Sequence, residues 1–380
     1  MKFSRFGVEA WMDAYEAGAV YNITDTCADP LTLDELFTLA GRDKHAFTDA
    51  FFKREQTYGD IFGAPETKEA IAGLYETISK DEILTEHGAT GANQHILYSL
   101  LSPGDRVIAF SPSYQQFYST PEAIGADVTV LKLRRENGYM PDVDEIRRAA
   151  KKGLRMICLN NPNNPTGSEI PEALMKAMIQ IADEQGAYIL CDEVYSGLSR
   201  SEERSYSIAD MYERGISTGS LSKAFSLAGL RFGWLATHDR DALAQFRRVR
   251  DYDLISCGLF DEAVAAVALP AKDKILNRNR KIVKRNLKIL DDWIRSEPHA
   301  SYVRPEAGTM ALVYYDLDIE SEEFCRRMYK ETGAFNVPGD CFDEPRSFRV
   351  GYAHDPDVLK RGLSAVSAFF SILEKERRGQ

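Results

Sequence analysis

Ser220-Leu221-Ser222-Lys223-Ala224-Phe225-Ser226-Leu227-Ala228-Gly229-Leu230-Arg231-Phe232-Gly233-Trp234 decides how this 380-residue chain is read. One lysine sits behind small hydroxyl residues, and an arginine follows eight positions later. A lysine that merely decorates a surface has no need of such neighbours, nor of a tight Gly-Leu-Arg turn after it. A lysine that must form an imine and stand next to a phosphate needs both.

Working upstream, the chain alternates short apolar runs with helix-like stretches from about Lys80 to Ala236. Glu82 to His87 reads as a short strand. Asn93 to Leu101 reads as a helix that stops at Ser102-Pro103-Gly104-Asp105. Arg106 to Phe110 and Val128 to Leu131 follow as strands. Arg155-Met156-Ile157-Cys158-Leu159-Asn160 and Ala187-Tyr188-Ile189-Leu190-Cys191-Asp192 are nearly continuous apolar runs, as expected of strands buried on both faces. Between them, Pro171 to Glu184 carries Leu174, Ala177, Met178 and Ile181 at helical spacing. This rhythm predicts an α/β fold with a mostly parallel sheet and helices on both sides. Downstream, Asp273 to Arg295 reads as a long charged helix, Val303 to Asp316 and Ser347 to Tyr352 as strands, and Pro356 to Lys375 as a closing helix.

Composition bounds the function. Hydrophobic residues make up 44% and aromatics 11%, enough for a full core. A net charge of −11 argues against nucleic acid or an anionic membrane surface as the main partner. No apolar run approaches the roughly 18–20 residues that span a bilayer. Met1-Lys2-Phe3-Ser4-Arg5-Phe6 is followed by Glu9 and Asp13 rather than an apolar signal core, so a cytoplasmic protein is expected. The six cysteines form no C-x-x-C pair and the six histidines show no ligand spacing. Reduced thiols and no metal site are therefore expected.

Asn161-Pro162-Asn163-Asn164-Pro165-Thr166-Gly167, Cys191-Asp192-Glu193-Val194-Tyr195 and the lysine segment together resemble the class I/II aminotransferases, which use pyridoxal phosphate on the type I fold. The resemblance implies a large cofactor-binding domain over 45–270, with a seven-stranded, mostly parallel sheet. A small domain would be built from both termini, 1–44 and 271–380. It implies that Lys223 is the Schiff-base lysine and that Asp192 pairs with the pyridine nitrogen at a strand end, where open α/β sheets bind ligands. Tyr195 and Asn164 would contact the cofactor's phenolic oxygen. Gly91, Ala92 and Asn93, with Ser220, Ser222 and Arg231, would form a phosphate cup at a helix N-terminus. Tyr114, in Ser111-Pro112-Ser113-Tyr114, would lie over the ring. Arg349, set in a strand between apolar residues, would grip the substrate's α-carboxylate in a two-pronged pair. Tyr58 would reach across a homodimer interface to the partner's phosphate.

One departure concerns the N-terminal loop. Where many relatives carry a glycine that touches the substrate carboxylate, this chain reads Thr26-Cys27-Ala28-Asp29-Pro30, so Ala28 is expected at the substrate. Arg304-Pro305-Glu306-Ala307-Gly308 and Val337-Pro338-Gly339-Asp340-Cys341-Phe342 also resemble the capreomycidine synthase branch, which cyclises a hydroxylated arginine. The expected reaction is ping-pong transfer of an amino group between an L-amino acid and a 2-oxo acid. Elimination or cyclisation on the same lysine is the rival. A non-catalytic module of the same fold would need a lost lysine or an attached DNA-binding segment, and neither is present.

Overall fold

Leu154–Asn160 and Tyr188–Asp192 are buried along nearly their whole length, as uninterrupted apolar strands must be when helices cover both faces of their sheet. In the computed structural model, which describes residues 1–200 and 206–378, they lie next to each other near the middle of a seven-stranded sheet. Its order is Ile83–Glu86, Gly233–Ala236, Gly215–Ser220, Tyr188–Asp192, Leu154–Asn160, Arg106–Ser111 and Asp127–Lys132. Every pairing is parallel except the two made by Gly233–Ala236. Six strands therefore point the same way and end on one edge. The helix Glu172–Gln185 covers the sheet through Met175, Met178, Ile181 and Ala182, and each fully buried Met or Ile contributes roughly 1.5–3 kcal/mol.

Two strands of this sheet escaped the sequence reading. Gly215–Ser220 is glycine, serine and threonine apart from Ile216, a composition that resembles a loop. It is a strand because it is wholly buried beside large neighbours. A Cβ on Gly219 would lie 2.5 Å from the Trp234 ring. Gly233–Ala236 is too short to show a period. The helix expected from Asn93 begins at Gly88 and runs to Leu100. Its first turn is made of small residues because it presses against the sheet end. There a Cβ on Gly233 would meet Gly88 C at 2.6 Å and Ala89 N at 2.8 Å.

A second, antiparallel sheet has the order Val337–Pro338, Ser347–Gly351, Met310–Tyr315, Ala300–Tyr302. Of the stretch read as strand from Val303 to Asp316, only Met310–Tyr315 is strand; Ala300–Tyr302 precedes it, and the connection between them holds Pro305 and Gly308. Tyr21–Asn22 pairs in parallel with Ala334–Phe335, tying the N-terminal segment to this region. The helices Lys272–Ser296 and Pro356–Arg378 pack alongside. One hydrophobic core runs through both parts, from Trp11 and Ile23 through Phe225 and Trp234 to Phe348 and Phe370. All six cysteines are free thiols. No described helix is long and apolar enough to cross a membrane.

Candidate active site

Five loops leave the sheet at one edge, and each carries a residue singled out above. The helix after Ile83–Glu86 brings Gly91, Arg106–Ser111 leads to Tyr114, Leu154–Asn160 to Asn164, Tyr188–Asp192 to Tyr195, and Gly215–Ser220 to Lys223. Gly233–Ala236 runs the other way, so it starts at this edge and places Arg231 there. Between these loops and the second sheet lies a cavity of about 260 Å³, lined by Tyr114, Asn164, Asp192, Tyr195, Ser220, Ser222, Lys223, Arg231 and Arg349.

Asp192 forms the floor. Its Oδ2 accepts from Asn93 Nδ2 at 2.9 Å, and its Oδ1 from the Val194 N–H at 3.1 Å. Asn93 is itself held by the Thr218 hydroxyl, which donates to its Oδ1 at 2.8 Å, and donates to Gln116 Oε1 at 3.2 Å. Burial pushes the Asp192 pKa up to about 6, against the lowering effect of the Asn93 and Val194 donors and of Lys223. Asn160 ties two loops together. Its amide donates to the Asp192 carbonyl at 2.8 Å and accepts from the Asn164 N–H at 2.8 Å.

Lys223 Nζ donates to Thr26 Oγ1 at 2.9 Å and lies 3.7 Å from Cys27 Sγ. Burial disfavours its ammonium, but Tyr195, Cys27 and Asp25 around it outweigh that cost and hold its pKa above the ordinary lysine value. Burial lifts the Tyr195 hydroxyl, with Lys223 and a bond from Thr26 acting the other way. Burial also lifts Tyr114, which bonds Thr90 and packs on Phe6 at 5.2 Å. Arg349 reaches in from the second sheet, donating to Asn164 Oδ1 at 3.2 Å. It is 4% exposed and its Nε has no partner. Burial depresses its pKa, opposed by Tyr195, Asp25 and Glu9.

The anion end is built from backbone. Only the first four N–H groups of a helix lack an internal acceptor, here those of Gly88, Ala89, Thr90 and Gly91. Ala92 and Asn93, expected in the cup, do not line the cavity. Ala92 is wholly buried in the core, and the Asn93 side chain serves Asp192 instead. Ala89, which the sequence reading left out, lines the cavity together with Thr90. Ser220 Oγ accepts from the Ser222 N–H at 3.2 Å, and Arg231 Nη1 lies 3.4 Å from Ser222 Oγ. Gly88 has φ +69, and a Cβ there would stand 3.0 Å from Arg231 Nη2. The close approach of helix start and arginine thus depends on that glycine.

One further expectation changes. Ala28 does not face the cavity. It is fully buried in the hydrophobic core and its N–H donates to the Lys223 carbonyl at 3.2 Å, so Asp25 and Thr26 face the cavity instead. Tyr58 stands outside this cavity, 70% exposed. The first helix, Gly7–Tyr15, forms one wall through Val8, Glu9 and Met12. Nothing local in the sequence marks it, since its place is set by long-range contacts.

Pyridoxal phosphate fits these residues. Among the described residues, no carboxylate pairs with Lys223, Arg231 or Arg349, so each cation is left for a bound group. The distance between the cup and the Asp192 floor is bridged by one cavity with Lys223 on its wall. Comparison with known proteins agrees. A solved pyridoxal-phosphate-dependent aminotransferase from Streptococcus suis 89-1591 superposes with a TM-score of 0.95 at 41% identity, covering 98% of this chain and 99% of that one. Capreomycidine synthase of Streptomyces vinaceus is 27% identical over 84% of this chain and 82% of its own. Aspartate aminotransferase of Thermotoga maritima is 24% identical over 84% and 85%. The family model for aminotransferase class I and II matches residues 41–366. The chain therefore has the type I pyridoxal-phosphate fold, and it belongs to the class I and II aminotransferases.

Proposed function

We propose that the enzyme moves an amino group between an L-amino acid and a 2-oxo acid in two half-reactions of a ping-pong cycle. The observation that carries this reading is the pairing of Lys223 with Arg349. A reactive amine and a buried guanidinium with an unpartnered Nε share one cavity, as binding and deprotonating an α-amino acid requires. When bound, pyridoxal phosphate supplies an aldehyde that takes up an amino group and a ring that withdraws electrons from the substrate's Cα.

The chain's own residues do the rest. The N–H groups of Ala89, Thr90 and Gly91, the hydroxyls of Ser220 and Ser222, and Arg231 hold the phosphate. Asp192 keeps a proton on the ring nitrogen, a charge-assisted bond of about 1.5–3 kcal/mol. Tyr195 and Asn164 donate to the phenolic oxygen, and Tyr114 stacks on the ring. Arg349 takes the α-carboxylate in a two-pronged pair and so turns the Cα–H bond toward Lys223. The Lys223 amine would remove the Cα proton as general base and, once protonated, would deliver it as general acid to the cofactor's aldehyde-derived carbon, on the other side of the substrate nitrogen. In the same proposal Tyr58 completes the partner's cup in a cytoplasmic homodimer. Residues 45–270 then form the cofactor domain, and 1–44 with 271–380 the small one.

Similarity to capreomycidine synthase favours a second reading, elimination or cyclisation begun by the same proton abstraction. A panel of amino acids offered singly to the cofactor-loaded protein separates the two. Transamination converts the visible absorption to that of the amine form with one amino acid alone and yields a 2-oxo acid. Release of ammonia without an acceptor, with the aldehyde form regenerated, would instead establish the eliminating chemistry.

A further inference from the structure

Six charged side chains line the cavity: Lys223, Arg231 and Arg349 against Glu9, Asp25 and Asp192. In the function proposed above, on which this inference rests, Lys223 is consumed by the cofactor and Arg231 faces its phosphate. Arg349 faces the α-carboxylate, and Asp192 faces the ring nitrogen. Glu9 and Asp25 are left over. Asp25 has one oxygen engaged, Oδ1 accepting from the Cys27 N–H at 2.9 Å. Glu9, an exposed residue, makes no hydrogen bond or ion pair among the described residues. It lines the cavity from the helix Gly7–Tyr15, beside Val8 and Met12.

The wall that carries Glu9 is fixed at both ends. The Gly7 N–H donates to Gln115 Oε1 at 2.8 Å, and Gln115 Nε2 donates to the Arg5 carbonyl at 2.9 Å, beside Tyr114. Trp11 Nε1 donates to the Asn336 carbonyl at 2.9 Å on the other side. Glu9 is therefore held over the cavity by a rigid element, next to the apolar side chains of Val8 and Met12. Arg349, 4% exposed with Nε unpartnered, anchors one end of any substrate. What remains for the other end is an apolar surface that finishes in an unpaired carboxylate.

We propose that Glu9, supported by Asp25, selects amino acids whose side chain is an aliphatic stem ending in a cation, a guanidinium or an ammonium. The methylenes of such a stem lie on Val8 and Met12, and the cation supplies the partner that Glu9 lacks. A neutral side chain forfeits that bond, and an acidic one meets repulsion from two carboxylates.

The test compares L-arginine with L-citrulline, which differ by one charge at nearly constant shape. Both are measured by calorimetric binding to the cofactor-loaded Lys223→Ala protein, where no turnover occurs, and by half-reaction rate in the wild type. The wild type prefers arginine, and Glu9→Gln lowers the arginine-to-citrulline preference by roughly 2- to 5-fold, the worth of an exposed ion pair. Glu9→Lys turns the preference toward L-glutamate. A preference unmoved by Glu9→Gln, or equal losses for both ligands, overturns the proposal. Wild type that converts neutral amino acids readily but arginine poorly overturns it while leaving aminotransfer intact. Wild type that binds no amino acid at all overturns both.

Discussion

The two ends of the cavity are built on opposite principles. At the Asp192 end every polar group is spoken for: Thr218 holds Asn93, Asn93 and the Val194 N–H hold Asp192, and Asn160 holds the loops above. At the Arg349 end the groups wait. Arg349 Nε is buried with no partner, and the exposed Glu9 has none within the described residues. A cofactor that stays in place rewards a floor fixed in advance, because no reorganisation is then needed at the moment of reaction. A substrate that comes and goes must itself complete the bonds, so that its correct chemistry is what satisfies the site.

The largest expected effect lies where the two ends meet. Lys223→Ala should abolish the borohydride-trapped cofactor adduct and slow proton transfer by roughly 10⁴-fold. An adduct that persists on another peptide would dissolve the division of labour just described.

Asp192→Asn probes the fixed end through stability. The folded Asp192 has a pKa of about 6 against 3.8 ordinarily, so the folded protein holds this proton more tightly than the unfolded chain. Its contribution to stability therefore falls as pH rises from about 4 to 6, by about 3 kcal/mol in all. In the cofactor-free protein, Asp192→Asn should remove that cost. Urea melts should show the variant more stable above pH 6, with the gap closing toward pH 4, while cofactor affinity drops. Equal stabilities at pH 7.5 would mean that the floor carries no stored cost.

Arg349→Ala probes the waiting end. The Michaelis constant for α-amino acids should rise by roughly 10- to 100-fold with cofactor retention little altered. A matched loss of cofactor would show that the two ends are one unit.

How much of this was legible beforehand follows from the range of the forces involved. The apolar runs ending at Asn160 and Asp192, the lysine segment and Arg349 inside its strand announced themselves, because a double-sided strand and a buried cation leave marks in local composition. Gly215–Ser220 did not, because its small residues are dictated by Trp234 and by the helix packed above it. The phosphate cup was placed about two residues too far along the chain for the same reason. A helix start made of Gly88, Ala89, Thr90 and Gly91 looks like a loop until Gly233 is seen beneath it. Asn93 was singled out, but its role came from Thr218 and Asp192, both about a hundred residues or more away.

By itself, then, the sequence determined the layered α/β architecture and singled out the lysine and the strand-end aspartate on which the proposed chemistry rests. Periodicity, strand burial and motif spacing are short-range properties written in neighbouring residues. Tertiary structure alone decided that Ala28 turns into the core, that Asn160 and Asn93 brace Asp192, and that a helix from the first fifteen residues brings Glu9 over the cavity. Those outcomes depend on which distant surfaces meet, and no local pattern encodes such a meeting.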